Sequence, residues 1–495
     1  MKQKRLNGIS DVRRYFHRAE VPTYFVSATP FNLLGMDEWV RNFTFVNYID
    51  CFDGKHPHVF VPSERPHPLF ESIEEITNYL LSHPEFEALV KRNAPRGKRG
   101  HRGNAAFLFF DEETEELCAR LGLKVCFPPA KLRKRIDNKL VTTRIGNEAG
   151  VKSVPNALTK VKSWDHLCQI ARRHKLGTKL VVQTAFGDSG HTTFFISNER
   201  EYKKYAPEIE GEREVKVMKR VRCRGSALEA CVTRHGTIVG PLMTELVGFK
   251  ELTPYKGGWC GNEVFAETFP QKVRDFARRS AFKIGEALRK RHYRGYFEID
   301  FLSDLDTGDV YLGEINPRIT GASSMTNLAS FAHADAPLFL FHLLEYSGMP
   351  FQLDVEEINR RWSDADNIDN WSQLVIKHTG TDVTPIVSAP CSGVWELDPQ
   401  GRMHFVRPQT HRRTVADENR AFYLRIAKEG DWFYEGADLG ILVTPGRLMT
   451  KGFKLTSRAK AWIEGIRGQY QGGRASAAQR AEAEGLAEVG GFKFL

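Results

Sequence analysis

An α/β protein with a β-rich carboxyl-terminal region is what this sequence predicts, and three observations carry the prediction. Short apolar runs alternate with helical stripes over the first 130 residues. Two acidic strands joined by a polar turn follow a long amphipathic helix near residue 300. Beyond Trp362 the helical period gives way to brief apolar runs between Gly, Pro and charged turns. Strands alternating with helices imply an open layered sheet, because each helix must bury its apolar stripe on a sheet face.

Thr23 to Ser27, Phe43 to Ile49, His58 to Val61 and Ala105 to Phe110 are β-branched or aromatic runs of strand length, and they predict an N-terminal α/β domain over residues 1–130. Phe70 to Ser82 sets Ile73, Ile76, Tyr79 and Leu80 on one helical stripe, and Glu112 to Leu121 does the same with Leu117, Cys118 and Leu121. A central module over 131–355 follows, divided into parts 131–220 and 221–355. Lys139 to Ala149 reads as a helix capped at Gly150, and Trp164 to His174 as another. Leu180 to Thr184 and Phe194 to Ile196 read as strands joined by the glycine-bearing loop Phe186 to Thr193. Glu214 to Val221, Ala227 to Thr233 and Ile238 to Val239 read as strands, and Val264 to Arg289 contains a long amphipathic helix starting near Pro270. Gly295 to Leu302 and Val310 to Ile315 read as strands around the turn Ser303 to Asp309. In the helix Asp335 to Tyr346, His342 reads as a satisfied helix residue rather than a ligand. Residues 356–470 form a mostly β accessory domain, and 471–495, rich in Ala and Gly, a flexible tail.

Composition narrows the function classes. With 41% hydrophobic and 27% charged residues over 495 positions, the chain is long enough for several cores and too apolar for default disorder. The net charge of +10 favours anionic partners, among them nucleotide phosphates, acidic metabolites and nucleic acid. The dense basic runs Pro95 to Arg102 and Lys131 to Lys139 come without zinc spacing, recognition-helix signal or aromatic strand pair, which disfavours nucleic acid. The eight cysteines form no CxxC pair and no Cys/His cluster, so they read as small buried hydrophobes of a reducing compartment. No stretch approaches eighteen uncharged apolar residues and no apolar segment follows the basic N-terminus, so a cytoplasmic enzyme with no membrane partner is expected.

The chemistry concentrates in Glu298-Ile299-Asp300-Phe301-Leu302 and Glu314-Ile315-Asn316-Pro317-Arg318. Side chains two apart on a strand share a face, so antiparallel pairing can gather Asp300, Glu314 and Asn316 into an oxygen-ligand cluster suited to Mg²⁺. Arg318 can set a planar cation against a carboxylate or a transferring phosphoryl group. A charged structural hairpin is the alternative reading. In the loop, Gly187, Ser189, Gly190 and His191 offer small residues, N–H groups and side-chain donors that can close over phosphates, or form an ordinary turn.

The order of these features over residues 105 to 350 resembles the ATP-grasp superfamily, with the E-x-N-P-R run Glu314 to Arg318 as the specific part of the match. The resemblance implies a pre-ATP-grasp α/β domain, then a module that holds Mg-ATP (or Mn-ATP) between two sheets. It implies Asp300, Glu314 and Asn316 as metal ligands and Arg318 and Asn316 as catalytic groups. Lys139 is implied as the first nucleotide-contacting lysine, and the backbone of Lys219, Arg220 and Val221 as the hinge beside adenine. The second lysine position is occupied by Gln183, which brings no charge, and Lys219 and Arg220 stand where relatives have acidic residues for the ribose. The general shape also resembles the biotin carboxylase branch, yet the position four after Arg318, where that branch has a glutamate working on bicarbonate, is Ala322. The expected activity is therefore an ADP-forming ligase joining a small-molecule carboxylate to an amine through an acyl phosphate, with room for a homodimer. The alternatives are a carboxylase or a non-catalytic nucleotide-binding regulator.

Overall fold

A computed structural model of the chain describes residues 5–63, 70–95, 100–187, 192–327, 335–368 and 370–476. The N-terminal region is built on a five-stranded parallel sheet in the order Val59–Phe60, Phe43–Asn47, Thr23–Ser27, Gly103–Phe107, Leu123–Val125. Its central strands are near-continuous apolar runs because helices cover both faces, and Tyr24, Phe25, Val26, Phe45 and Phe107 are fully buried. Chain order reverses between Thr23–Ser27 and Gly103–Phe107, so a crevice opens beyond Ser27 and Phe107. The helix Ile73–Ser82 is followed at once by Pro84–Asn93, which sequence reading missed: His83 ends one helix and caps the next, with Pro84 fixed at the first helical position. Asp111 and Thr114 form a reciprocal capping box for Glu112–Leu121, and Gly122 closes that helix in the left-handed region.

Asn156–Thr159, Val215–Lys219, Leu180–Gln183 and Thr193–Ile196 make a smaller antiparallel sheet in that order. Ala157, Leu180, Val182, Phe194, Ile196, Val215 and Val217 point to one face and form a core with the helices Trp164–Arg173 and Glu199–Gly211. The second of these helices was not anticipated, since Pro207 interrupts its pattern.

A ten-stranded antiparallel sheet dominates the remainder. It runs from Val310–Asn316 through Gly295–Asp304, Cys223–Thr233, Gly236–Val247 and Trp259–Val264, crosses to Trp371–Lys377, and ends in Asp438–Pro445, Arg420–Arg425, Gly393–Leu397 and Met403–Arg407. Pairing of Trp259–Val264 with Trp371–Lys377 makes it continuous across residue 355. The helix Gln271–Lys290 covers part of one face with Ala277, Ala281, Ile284 and Leu288. The strand expected only at Ile238 to Val239 spans Gly236–Val247, because Gly240 and Pro241 form a bulge opposite Glu229 instead of a break. In the carboxyl-terminal region Trp462, Ile463 and Ile466 of the helix Ser457–Gly468 fill a second core. Of the expected tail, Gln471–Gly472 pairs with Thr384–Ser388, and residues 477–495 lie outside the described residues.

His342 is buried, with its Nδ1 accepting from the Tyr296 N–H at 3.0 Å and its Nε2 2.6 Å from the Cys126 carbonyl, so both ring nitrogens have partners. Burial lowers its pKa to about 3, and it is a neutral core residue. Among the described residues no helix is long and apolar enough to cross a membrane.

Candidate active site

The acidic strand pair owes its geometry to one bulge. Glu298 pairs with Asn316 and Ile299 with Ile315, but Phe301 pairs with Leu312, so Gly313 and Glu314 together oppose Asp300. Leu312 and Ile315, three residues apart, both face the core; the extra residue shifts the alternation so that Glu314 joins Asp300 and Asn316 on the opposite face. Gly313 suits this place, since a Cβ there would lie tightly, 3.0 Å from the Asp300 carbonyl oxygen and 3.4 Å from its Cβ. Asn316 Nδ2 donates to Glu298 Oε2 at 3.0 Å and to Asp300 Oδ2 at 3.3 Å. Arg318 donates to Asn316 Oδ1 at 3.1 Å and to the Ile319 carbonyl at 3.3 Å, with its guanidinium 4.4 Å from the Phe109 ring centroid. Phe109 lies just beyond the strand Gly103–Phe107, so the switch crevice of the N-terminal sheet and the acidic hairpin meet at Arg318.

Across from the hairpin stands the outer face of the smaller sheet. Val181 and Met218, with Val154, pack against Leu302, Tyr311 and Val221, forming an apolar seam between the two sheets. Gln183 lies at the end of that face, its amide donating to Thr193 Oγ1 at 3.2 Å. Opposite Gln183 in register is Lys216, only 1% exposed. Lys139 opens the helix Lys139–Glu148, which Asn138 caps through the Leu140 and Val141 N–H groups, and its ammonium is 3.3 Å from Glu314 Oε2. The Lys219 and Arg220 N–H groups are already taken by the Pro155 and Lys179 carbonyls, and the Arg220 guanidinium stacks on Phe195 at 5.0 Å. Of the backbone groups expected at the hinge, this leaves the carbonyls of Lys219 and Arg220 and the backbone of Val221. Gly187 has φ +137°, and a Cβ there would run into Thr192. Ser189, Gly190 and His191 lie outside the described residues.

Lys216, like Glu245, is a residue that the sequence motifs leave out. Val215, Lys216, Val217 and Met218 alternate core and cleft, so parity alone puts Lys216 on the face of Met218, but only the register reveals that this face meets Gln183 and Glu314.

Five carboxyl groups crowd the acidic side. Burial pushes Asp300 well above the usual carboxylate range, with the charges of Glu298, Glu245 and Glu314 adding to it. Glu298 rises for the same first reason, beside Glu229 and Glu245. Burial opposes charge at Glu314 too, yet Lys139 outweighs it and holds this carboxyl below its ordinary value. Glu245, whose Oε2 would lie 2.6 Å from a Cβ placed on Gly225, is pushed up to about 7 by burial and by Glu314. Thr320 Oγ1 lies 3.1 Å from Glu229 Oε1 and 3.0 Å from Glu298 Oε1; one hydroxyl proton serves one carboxylate, so the second contact needs a protonated acid.

The residues fit a divalent cation in one respect. Asp300 Oδ1 is buried with no hydrogen-bond partner, beside a second carboxylate that shares its environment, which is costly unless a proton or a cation fills the gap. Among the described residues no three His, Cys, Asp or Glu side chains close into a ready cage. Asp300 and Glu314 thus offer carboxylate oxygens to a hard cation that brings its remaining ligands with it, whereas Asn316 turns its Nδ2 to Asp300 and its Oδ1 to Arg318, so the metal role expected of Asn316 requires its amide to turn over. A cavity of about 700 Å³ lies elsewhere, beside the amino ends of the parallel sheet near Thr23, Asn104 and Lys124.

No family model and no curated protein matches the chain. Solved structures do. A biotin carboxylase from Campylobacter jejuni superposes with a TM-score of 0.57 at 13% identity over 86% of this chain and 87% of its own. An N5-carboxyaminoimidazole ribonucleotide synthetase, solved as its ADP complex, gives 0.54 at 11% identity over 95% and 100%. A phosphoribosylamine–glycine ligase from Thermotoga maritima gives 0.53 at 13% over 91% and 97%. The chain has the ATP-grasp fold, an N-terminal α/β region followed by a mixed core and a β-rich carboxyl-terminal region.

Proposed function

We propose that the protein is an ATP-dependent carboxylate–amine ligase that forms an amide through an acyl phosphate and releases ADP and phosphate. One observation carries the reading: Lys139 on one side and Asp300, Glu314, Asn316 and Arg318 on the other converge on a single cleft beside an apolar seam. The seam of Val154, Val181, Met218, Leu302 and Tyr311 suits a flat base, Lys139 suits phosphates, and the carboxylates suit the Mg²⁺ (or Mn²⁺) that accompanies them. The similar structures point the same way, since several were solved with ATP or ADP.

In this reading a substrate carboxylate oxygen attacks the γ-phosphorus and the bond to the bridging oxygen of ADP breaks. Lys139 and Arg318 offset charge on the phosphoryl oxygens, and Arg318, steadied by Asn316 and Phe109, aligns the carboxylate. Mg²⁺ held by Asp300, Glu314 and, with its amide turned over, Asn316 would supply charge neutralisation of the phosphate oxygens. The amine then attacks the acyl carbon and phosphate leaves. Glu245, with a pKa of about 7, is the carboxylate on this face able to take up the amine proton near neutral pH. Residues 131–220 act as the lid-bearing subdomain, 221–355 as the metal and acceptor subdomain, 1–130 as the pre-ATP-grasp domain and 356–470 as the accessory domain.

A carboxylase is the second reading, favoured by the carboxylases among the similar structures. Ala322, buried where that branch carries its base, counts against it. Screening amino acids in pairs for stimulated ADP release tests the ligase; stimulation by bicarbonate with biotin, and by no carboxylate–amine pair, supports the carboxylase instead.

A further inference from the structure

We propose that Lys216 is a phosphate-binding residue of the cleft, supplying from the strand Val215–Lys219 the cation that its register partner Gln183 lacks. The inference rests on the nucleotide site proposed above and assigns within it a residue that the sequence motifs leave out.

A lysine with 1% of its surface exposed needs a counter-ion, because an ammonium taken out of water without one loses hydration that nothing replaces. Among the described residues Lys216 has neither hydrogen bond nor ion pair to provide it. Glu314 is near enough to act on it electrostatically, but that carboxylate is in contact with Lys139. Two buried ammonium groups thus share one carboxylate, and they repel each other, as the downward pull of Lys139 on the Lys216 pKa reflects. A cation also at Glu314 would free Lys139 and leave both lysines facing the cleft. What completes such an arrangement is a group with several anionic oxygens, able to accept from two lysines at once.

Position argues for a phosphate chain attached to a base. Lys216 and Met218 are two residues apart on one strand face, about 7 Å, and Met218 belongs to the apolar seam. A ligand lying along this strand would meet an apolar slot and then a cation, the order of base and phosphate in a nucleotide. Val215 and Val217 point into the core on the other side, so the strand cannot slip by one residue without burying the lysine among them. Gln183, directly opposite Lys216, has the same outlook and a shorter, neutral reach.

Calorimetric titration with Mg-ADP, and in parallel with adenosine, tests the assignment. Lys216→Met is expected to weaken Mg-ADP at least tenfold and to leave adenosine unchanged. In Lys216→Met/Gln183→Lys the cation sits one strand over on the same face, and most of the lost affinity is expected to return. Gln183→Lys alone gains nothing, because it adds a third cation beside two others. Should Lys216→Met fail to fold by circular dichroism, Lys216→Gln takes its place in the same comparison. Wild-type protein that binds Mg-ADP while the Lys216 variant binds it equally well overturns the role of Lys216 and leaves the nucleotide site standing. Equal losses for Mg-ADP and adenosine would make Lys216 a structural cation and overturn the role as well. Wild-type protein that binds no Mg-ADP overturns both.

Discussion

The two strand pairs that face each other across the cleft carry opposite charge, and they acquire it differently. On the acidic side Asp300, Glu314 and Asn316 come from neighbouring strands joined by a short turn, and a single bulge at Gly313 turns them to one face. On the basic side Gln183 sits where the motif falls, whereas the buried cation opposite it, Lys216, arrives on a strand that follows an intervening strand and helix. Chemistry held by local pairing is carried in a contiguous run of residues; chemistry assembled from a distant strand depends on register, which the run does not record.

The largest effect is expected on the acidic side. Glu314→Ala should cost a few hundredfold in turnover, about 3–4 kcal/mol of transition-state stabilisation, while the chain stays folded. Steady-state ADP release alongside circular dichroism checks this, and a wild-type rate at limiting Mg²⁺ would reduce the hairpin to a structural one. Arg318→Lys follows, with a loss of about tenfold or more in turnover and little change in nucleotide affinity, because an ammonium cannot hold the Asn316 and Ile319 oxygens and stack on Phe109 at the same time.

A smaller effect concerns pH and separates the two sides by sign. Glu245 has a folded pKa of about 7, raised above its ordinary value, so its contribution to stability is complete below about pH 4.5 and is lost as pH rises through 7. Lys216 is shifted the other way, down to about 8, by burial; its contribution is present above the ordinary lysine range and lost as pH falls through 8, so it is already gone below 7. Thermal unfolding of the metal-free protein should therefore show Glu245→Gln stabilised relative to wild type at pH 8 and equal to it at pH 4.5. A Glu245→Gln gain that is the same at both pH values would place Glu245 outside the crowded cluster. The smallest change is expected for Gln183→Ala, which should raise the ATP requirement a few-fold with maximal turnover kept, since it removes a neutral contact beside a cation that remains.

Most of the fold was legible because long periodic runs announce themselves. The helix Gln271–Lys290, the parallel strands of the first region and the acidic hairpin all lie within a few residues of where pattern puts them. What escaped has local causes. Pro84 restarts a helix, Pro207 masks one, and Gly240-Pro241 looks like a strand end but is a bulge that the flanking pairs absorb. At the candidate site the acidic residues, Lys139 and Arg318 were visible as side chains in a recognisable run. Invisible were the occupied N–H groups of Lys219 and Arg220, the stacking of Arg318 on Phe109 and the approach of Lys216 to Glu314, since each joins segments far apart in the chain. Glu245 was overlooked because its strand was read as ending at Val239.

Trapping the activated carboxylate tests the central claim most directly. The protein is incubated with Mg-ATP, a pool of amino acids as carboxylate donors and hydroxylamine as the amine, and both the nucleotide product and the hydroxamate are quantified. Acyl-phosphate chemistry predicts ADP, phosphate and hydroxamate in equal amounts, all abolished together in Glu314→Ala. AMP and pyrophosphate as the nucleotide products, with hydroxamate still formed, would contradict it and mean that the carboxylate attacks the α-phosphorus instead.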